Sequence, residues 1–225
     1  MIGILMLNTR FPRWRGDIGN AASFEFPVLH QTVAPAEVKK IVTHSKPDQH
    51  LVDSFVESGL MLVDQGATVI GTSCGFMASV QNEIATRLPV PFLSSSLILL
   101  PLIKSLLGGH AAIGILTFSR ERLDACHFPA AVSVDDPSLT ITGLDPASHW
   151  FRCINENLVE ADKEQARKEV LELAKKCVED NPDIAALLLE CTNLSPWKAE
   201  IQAACHRPVF DLVSALEWLY RSSRI

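Results

Sequence analysis

ATVIGTSCGF, Ala67 to Phe76, is a short apolar run through Val69-Ile70-Gly71 that turns at Thr72-Ser73 and ends on the thiol of Cys74. The layout returns far downstream, where Ala185 to Glu190 is a second apolar run ending on Cys191-Thr192-Asn193. Each cysteine is followed nine positions later by a glutamate (Glu83, Glu200), ten later by an isoleucine (Ile84, Ile201) and seventeen later by a proline (Pro91, Pro208). The chain start repeats as well, since Ile2-Gly3-Ile4-Leu5 recurs as Ile113-Gly114-Ile115-Leu116. One half reads as a copy of the other, with one thiol on each side.

Working outward from these runs, the pattern predicts strands at 2–7, 28–33, 67–72, 91–93, 111–116, 139–144, 184–189 and 208–210. Helical periodicity predicts helices at 48–65, 76–87, 97–107, 163–179, 196–204 and 212–222, with a short one from Arg120. Short apolar strands separated by helices make a parallel sheet covered on both faces. The expected class is therefore α/β, as two pseudo-symmetric parallel-sheet subdomains, each a three-layer sandwich, with the active site in the cleft between them. Gly108-Gly109 marks the crossing, giving a first half of 1–107 plus 211–225 and a second half of 108–210. Ligands of parallel sheets sit beyond the carboxyl ends of the strands. Asn8, Cys74, Ser94, Thr117, Ser119 and Cys191 all fall there, and a pseudo-two-fold would set the two cysteines face to face.

Composition narrows the partners. A net charge of −6 argues against a nucleic acid or an acidic membrane surface, which favour a basic face. The longest apolar run, 97–107, is interrupted by Pro101 and Lys104 and falls short of the ~18 residues that span a bilayer. The start, MIGILMLNTR, has no basic leader and enters a strand directly, so a soluble, cytoplasmic protein is expected. Six cysteines with no CxxC pair fit reduced thiols rather than zinc ligands or a disulfide framework. Cys126, Cys153, Cys177 and Cys205 match no repeat position and read as small packing residues.

A thiol between a strand and a helix lies near a helix N-terminus, where unpaired N–H groups favour the thiolate and cradle an anion. Two opposed thiols suit removal of a proton from one face of a carbon and its return to the other, one acting as base and the other as acid. Ser73, Gly75, Thr192 and Asn193 stand beside them as hydrogen-bond donors for the charge that develops on a substrate carboxylate. The loop after the first strand carries Arg10, Arg13 and Arg15, and arginine suits a bidentate hold on a carboxylate. Asp17 and Asn20 read as residues that fix this loop, and Glu190 stands where its charge can tune Cys191. Thr117 and Ser119 close the strand that repeats the first, as Asn8 closes the first itself.

With GTSCGF at 71–76 and LLLECTNLSPW at 187–197 in repeat register, nearly the whole chain resembles the aspartate/glutamate/hydantoin racemase superfamily. The resemblance implies two α/β subdomains about a central active site, no cofactor and no metal, and inversion at Cα by two cysteines. Carried over by position, Cys74 and Cys191 are the acid–base thiols, and Asn8 and Thr192 hold the substrate. The implied activity is a cofactor-independent isomerase, an amino-acid racemase acting on a small carboxylate such as aspartate or glutamate, with a homodimer as the expected assembly. The alternatives are a hydantoin racemase, a related diacid isomerase, lyase or decarboxylase, and a ligand-binding relative without catalysis. The chain departs from the amino-acid racemases at Gly75-Phe76, where they carry a Thr-Asn pair, at Asn8-Thr9-Arg10, and in the loop PRWRGDIGN at 12–20.

Overall fold

The computed structural model describes residues 1–223. β1 (Ile2–Leu7), β2 (Val28–Val33), β3 (Val69–Thr72) and β4 (Phe92–Leu93) form one sheet in the order β2-β1-β3-β4. β5 (Ala112–Thr117), β6 (Leu139–Gly143), β7 (Ile184–Leu189) and β8 (Val209–Phe210) form a second in the order β6-β5-β7-β8. Every pairing is parallel, and the second sheet repeats the strand order of the first. The chain is thus an α/β protein of two matching parallel-sheet halves.

The helices are α1 (Val38–Ile41), α2 (Gln49–Asp64), α3 (Gln81–Ala85) and α4 (Leu100–Leu106), then α5 (His149–Asn155), α6 (Lys163–Asp180), α7 (Lys198–Cys205) and α8 (Leu212–Ser222). Because helices cover both faces, the inner strands are apolar without alternation: every residue of β1 and β3 is buried. α2 starts where the Asp48 carboxylate accepts from the Leu51 N–H, and it buries Leu51, Val52, Phe55, Val56 and Leu62. α6 starts on Asp162, which accepts from Glu164 and Gln165, and it buries Ala166, Val170, Leu173, Ala174 and Cys177. The last helix returns to the first sheet. Leu212, Val213 and Leu216 of α8 pack with Ile2, Ile4 and Val69, and a Cβ on Gly71 would stand 2.4 Å from Leu216. Of the 211–225 segment assigned to the first half, residues 224–225 lie outside the described residues.

The structure differs from the sequence reading in three respects. The helix expected from Arg120 is a turn; the helical signal belongs to a 3-10 turn, Ala125–His127, capped by the Asp124 side chain. The helices expected over 76–87 and 97–107 each begin as a 3-10 turn before α3 and α4. α1 and α5 have no counterpart in the sequence pattern; both are too short to show a helical period, although α5 buries Trp150, Phe151, Cys153 and Ile154. No helix among the described residues is long and apolar enough to cross a membrane.

Candidate active site

The two cysteines leave their sheets by the same device. The Ser73 N–H donates to the Leu5 carbonyl (3.0 Å) and the Glu190 N–H donates to the Leu116 carbonyl (2.9 Å). Leu5 and Leu116 close the repeated Ile-Gly-Ile-Leu runs, so each thiol sits one residue past an equivalent anchor. Both are followed by a 3-10 turn, Gly75–Val80 and Thr192–Trp197. The turns also grip one another across the pseudo-symmetry axis. The Thr192 hydroxyl donates to the Ser73 carbonyl (2.9 Å), and Gly75 lies so close to Glu190 that a Cβ there would be 2.1 Å from its Oε1.

Between the turns lies a small cavity of about 30 Å³. Ser73, Cys74, Gly75, Glu190, Cys191, Thr192 and Asn193 line one side of it. Thr9 and Arg13 come from the loop after β1, and Phe11, Phe76 and Phe118 make much of the apolar remainder. Cys191 is buried and Cys74 half-buried.

Aromatic packing aims the arginine loop. Trp14 lies against Trp150 of α5 at a ring separation of 4.8 Å and against Trp197 at 5.4 Å, so a loop from the first half is seated on the second. Arg13, held this way, donates to Asp17 (3.0 Å) and to the Thr9 hydroxyl (2.9 Å), and its guanidinium lies 4.3 Å from the Phe11 ring centre. Asp17, only 1% exposed, also accepts from the Gly19 N–H (2.7 Å) and from the Asn193 side chain (2.8 Å). One carboxylate therefore fixes both the arginine and the turn that carries Cys191. Arg13 is the one cation lining the cavity among the described residues.

The electrostatics reverse the sequence expectation of activated thiols. Desolvation pushes Cys74 up to about 12, the Glu190 charge adds to this, and Arg13 opposes it. Cys191 is raised well above its ordinary value by burial first and by Glu190 next, with Cys74 and Asp17 adding to it. The 3-10 turns are too short to supply the dipole of a full helix, and the cavity removes the thiols from bulk water. Glu190 is itself pushed up to about 7 by burial, against hydrogen bonds from the Thr117 hydroxyl and the Phe118 N–H.

Of the residues singled out from the sequence, Cys74, Cys191, Arg13, Ser73, Gly75, Thr192 and Asn193 meet around this cavity, and Asn8, Thr117 and Ser119 do not line it. Asn8 is exposed and its side chain donates to the Ala34 carbonyl (3.0 Å), because the chain after β2 folds over the end of β1. Thr117 is buried and spends its hydroxyl on Glu190 Oε2 (2.7 Å). Ser119 faces a different cleft, with Arg120 and Ser148. Arg10 is exposed, its backbone N–H bound to Asn157 (2.6 Å). Glu190, Thr9 and the three phenylalanines line the cavity although sequence reasoning assigns none of them a substrate role. Glu190 alone has a visible signal, a charged residue closing an otherwise apolar strand.

The fold is shared with solved structures of an arylmalonate decarboxylase, an allantoin racemase and a glutamate racemase. Unliganded arylmalonate decarboxylase superposes with a TM-score of 0.61 at 16% identity, over 99% of this chain and 92% of that one. Allantoin racemase from Klebsiella pneumoniae gives 0.61 at 13% identity, over 98% and 87%. Glutamate racemase from Francisella tularensis subsp. tularensis SCHU S4, in complex with D-glutamate, gives 0.54 at 15%, over 98% and 80%. By sequence the chain is similar to lyases. It is 27% identical over 225 residues to a dimethylsulfoniopropionate lyase of Durusdinium sp. clade D, covering 98% of this chain and 74% of that protein. It is 27% identical over 222 residues to dimethylsulfoniopropionate lyase 7 of Emiliania huxleyi (strain CCMP1516), covering 95% of this chain and 64% of that protein, just under two thirds of its length. No protein-family model matches the chain.

These relatives correct the functional expectation. An amino-acid racemase, and with it an isomerase of amino-acid metabolism, is overturned by sequence relatives that are lyases. The reason is chemical. A thiol pair signals proton transfer at carbon, and an elimination begins with the same proton removal as an inversion. The fate of the resulting carbanion then depends on the leaving group, which belongs to the substrate.

Proposed function

We propose that this protein is a lyase that takes the proton from the carbon beside a carboxylate and expels a leaving group from the next carbon, with dimethylsulfoniopropionate as substrate. The observation that carries this reading is the single cavity in which two thiols, one arginine and three phenylalanine rings converge, in a chain whose sequence relatives are dimethylsulfoniopropionate lyases. Each part has a use for that substrate. Arg13 suits the carboxylate as a charge-assisted partner. A sulfonium cation is attracted to aromatic faces, which Phe11, Phe76 and Phe118 supply. A sulfonium also lowers the cost of a desolvated thiolate beside it, countering the effect that raises both cysteines.

The reaction is then a proton transfer followed by departure of a neutral sulfide. A thiolate of the pair takes the Cα proton, the electron pair of that bond forms the carbon–carbon double bond, and dimethyl sulfide leaves with the carbon–sulfur pair. Acrylate remains. The site's own contribution is to hold the carboxylate, exclude water and place the base. The six free cysteines fit a reducing, cytoplasmic compartment for this small-molecule enzyme.

The test is direct. Purified protein given dimethylsulfoniopropionate is expected to release dimethyl sulfide and acrylate in equal amounts, read by headspace gas chromatography and proton NMR. A protein that releases neither under conditions where it is folded has another substrate. Arg13→Ala is expected to raise KM about 10- to 100-fold, the range of a lost charge-assisted hydrogen bond of roughly 1.5–3 kcal/mol, with a smaller change in kcat. An unchanged KM would show that the carboxylate binds elsewhere.

A further inference from the structure

A two-thiol site that inverts a carbon keeps its proton count: what one thiol removes, the other returns. An elimination does not. Dimethylsulfoniopropionate gives dimethyl sulfide, acrylate and one proton, and that proton is left on the thiol that took it. Nothing in the two-thiol arrangement restores the base. Both thiols are also withdrawn from bulk water, so each new thiolate adds a negative charge to a site that already holds a carboxylate.

We infer that Glu190 is a third member of the proton-transfer machinery: it accepts the thiol proton and passes it to solvent as product leaves. The geometry points to this residue. Its side chain is 1% exposed yet lines the cavity. Oε2 is fixed by the Thr117 hydroxyl (2.7 Å), while Oε1 has no hydrogen-bond partner among the described residues and lies against Gly75, next to Cys74. Along the chain it adjoins Cys191, and its charge acts on both thiols. The charged and titratable groups around it are those two thiols, with Arg13 and Asp17 farther round the site. The equivalent position of the first half is Ser73, whose hydroxyl accepts from the Leu7 N–H (2.9 Å), so the carboxylate is present in one half only. That asymmetry suits a reaction that releases a proton.

The proton balance closes. A cysteine S–H gives its proton to the Glu190 carboxylate, leaving a thiolate and a neutral carboxylic acid, and the site's net charge is unchanged. The thiolate takes the Cα proton and the sulfide departs. The carboxylic acid then loses its proton to water, and the next thiol proton replaces it.

This rests on the lyase reading, and the test separates the two. Thiol reactivity needs no substrate: alkylation of Cys74 and Cys191 by iodoacetamide, read by peptide mass spectrometry, is compared in the wild type and Glu190→Gln across the pH range around neutrality. As a mere neighbouring charge, Glu190 raises both thiols, so its removal would speed alkylation. As the proton acceptor, its removal slows alkylation and dimethyl sulfide release by about tenfold or more. The wild-type rise in both rates near pH 7 also disappears. Glu190→Asp is expected to restore part of the rate. Thr117→Val, which removes the hydrogen bond that favours the ionised carboxylate, is expected to move the rise to higher pH. Faster alkylation with retained lyase activity in Glu190→Gln would overturn the inference. Slower alkylation in a protein whose wild type releases no sulfide would overturn the substrate and leave Glu190 as the acceptor.

Discussion

Cys74→Ser and Cys191→Ser are each expected to lower kcat/KM for sulfide release by about 10²- to 10⁴-fold, the range of a lost acid–base group. Serine preserves size and hydrogen bonding but has no accessible anion in a desolvated site, so the loss reports on proton transfer rather than packing. Both thiols line the same cavity, and Cys74 adds to the cost of ionising Cys191. The effects of the two substitutions are therefore expected to be non-additive, because removing either leaves the pair unable to work as a unit. Thermal melting curves serve as the control, with both variants expected to melt close to the wild type. The relative sizes of the two losses assign the base: it is the thiol whose loss also abolishes exchange of the Cα proton of dimethylsulfoniopropionate with D2O. Full activity in either variant would show that a thiol pair is not the catalyst.

The sequence carried the scaffold because a duplicated parallel sheet leaves two records of each constraint. Ile2-Gly3-Ile4-Leu5 and Ile113-Gly114-Ile115-Leu116 are alike because both are central strands buried on both faces, and both end on the carbonyl that anchors a cysteine turn. Direction was less legible than position. Asn8 and Ser119 stand at strand ends as expected, but whether a side chain there faces the cavity depends on which neighbouring segment folds over it, and residues 34–36 claim Asn8. Arg13 could not be told from Arg10 and Arg15 because its aim is set by Trp14 stacking on Trp150, a contact between distant segments with no local period. The state of the thiols depends on desolvation and on Glu190, and both are properties of the assembled cleft. Racemase and lyase share their first step, so the pair of cysteines could not separate them.

Gly75→Ala is expected to abolish most activity and to lower stability by about 1–3 kcal/mol, the usual cost of forcing atoms into a packed interior, or roughly 2–12 °C in Tm for a chain of this length. The new methyl would stand 2.1 Å from Glu190 Oε1 and 2.4 Å from the Glu190 carbonyl oxygen. A side-chain rotation relieves the first contact, but the second is with backbone, so the two turns have to separate. That separation pulls on the Thr192–Ser73 hydrogen bond (2.9 Å) and moves both thiols at once. Misplacing reacting groups by an ångström costs on the order of 10²-fold in rate. Gly108→Ala is the matching control. Its φ of +82° strains any side chain, but nothing lies within 4 Å of the added carbon, and it sits in the crossing between halves, away from the cavity. Both variants are expected to melt below the wild type, and Gly75→Ala alone to lose catalysis. Equal activity in the two would mean that the contact between Gly75 and Glu190 serves folding only and that the spacing of the cysteine turns is not what the reaction depends on.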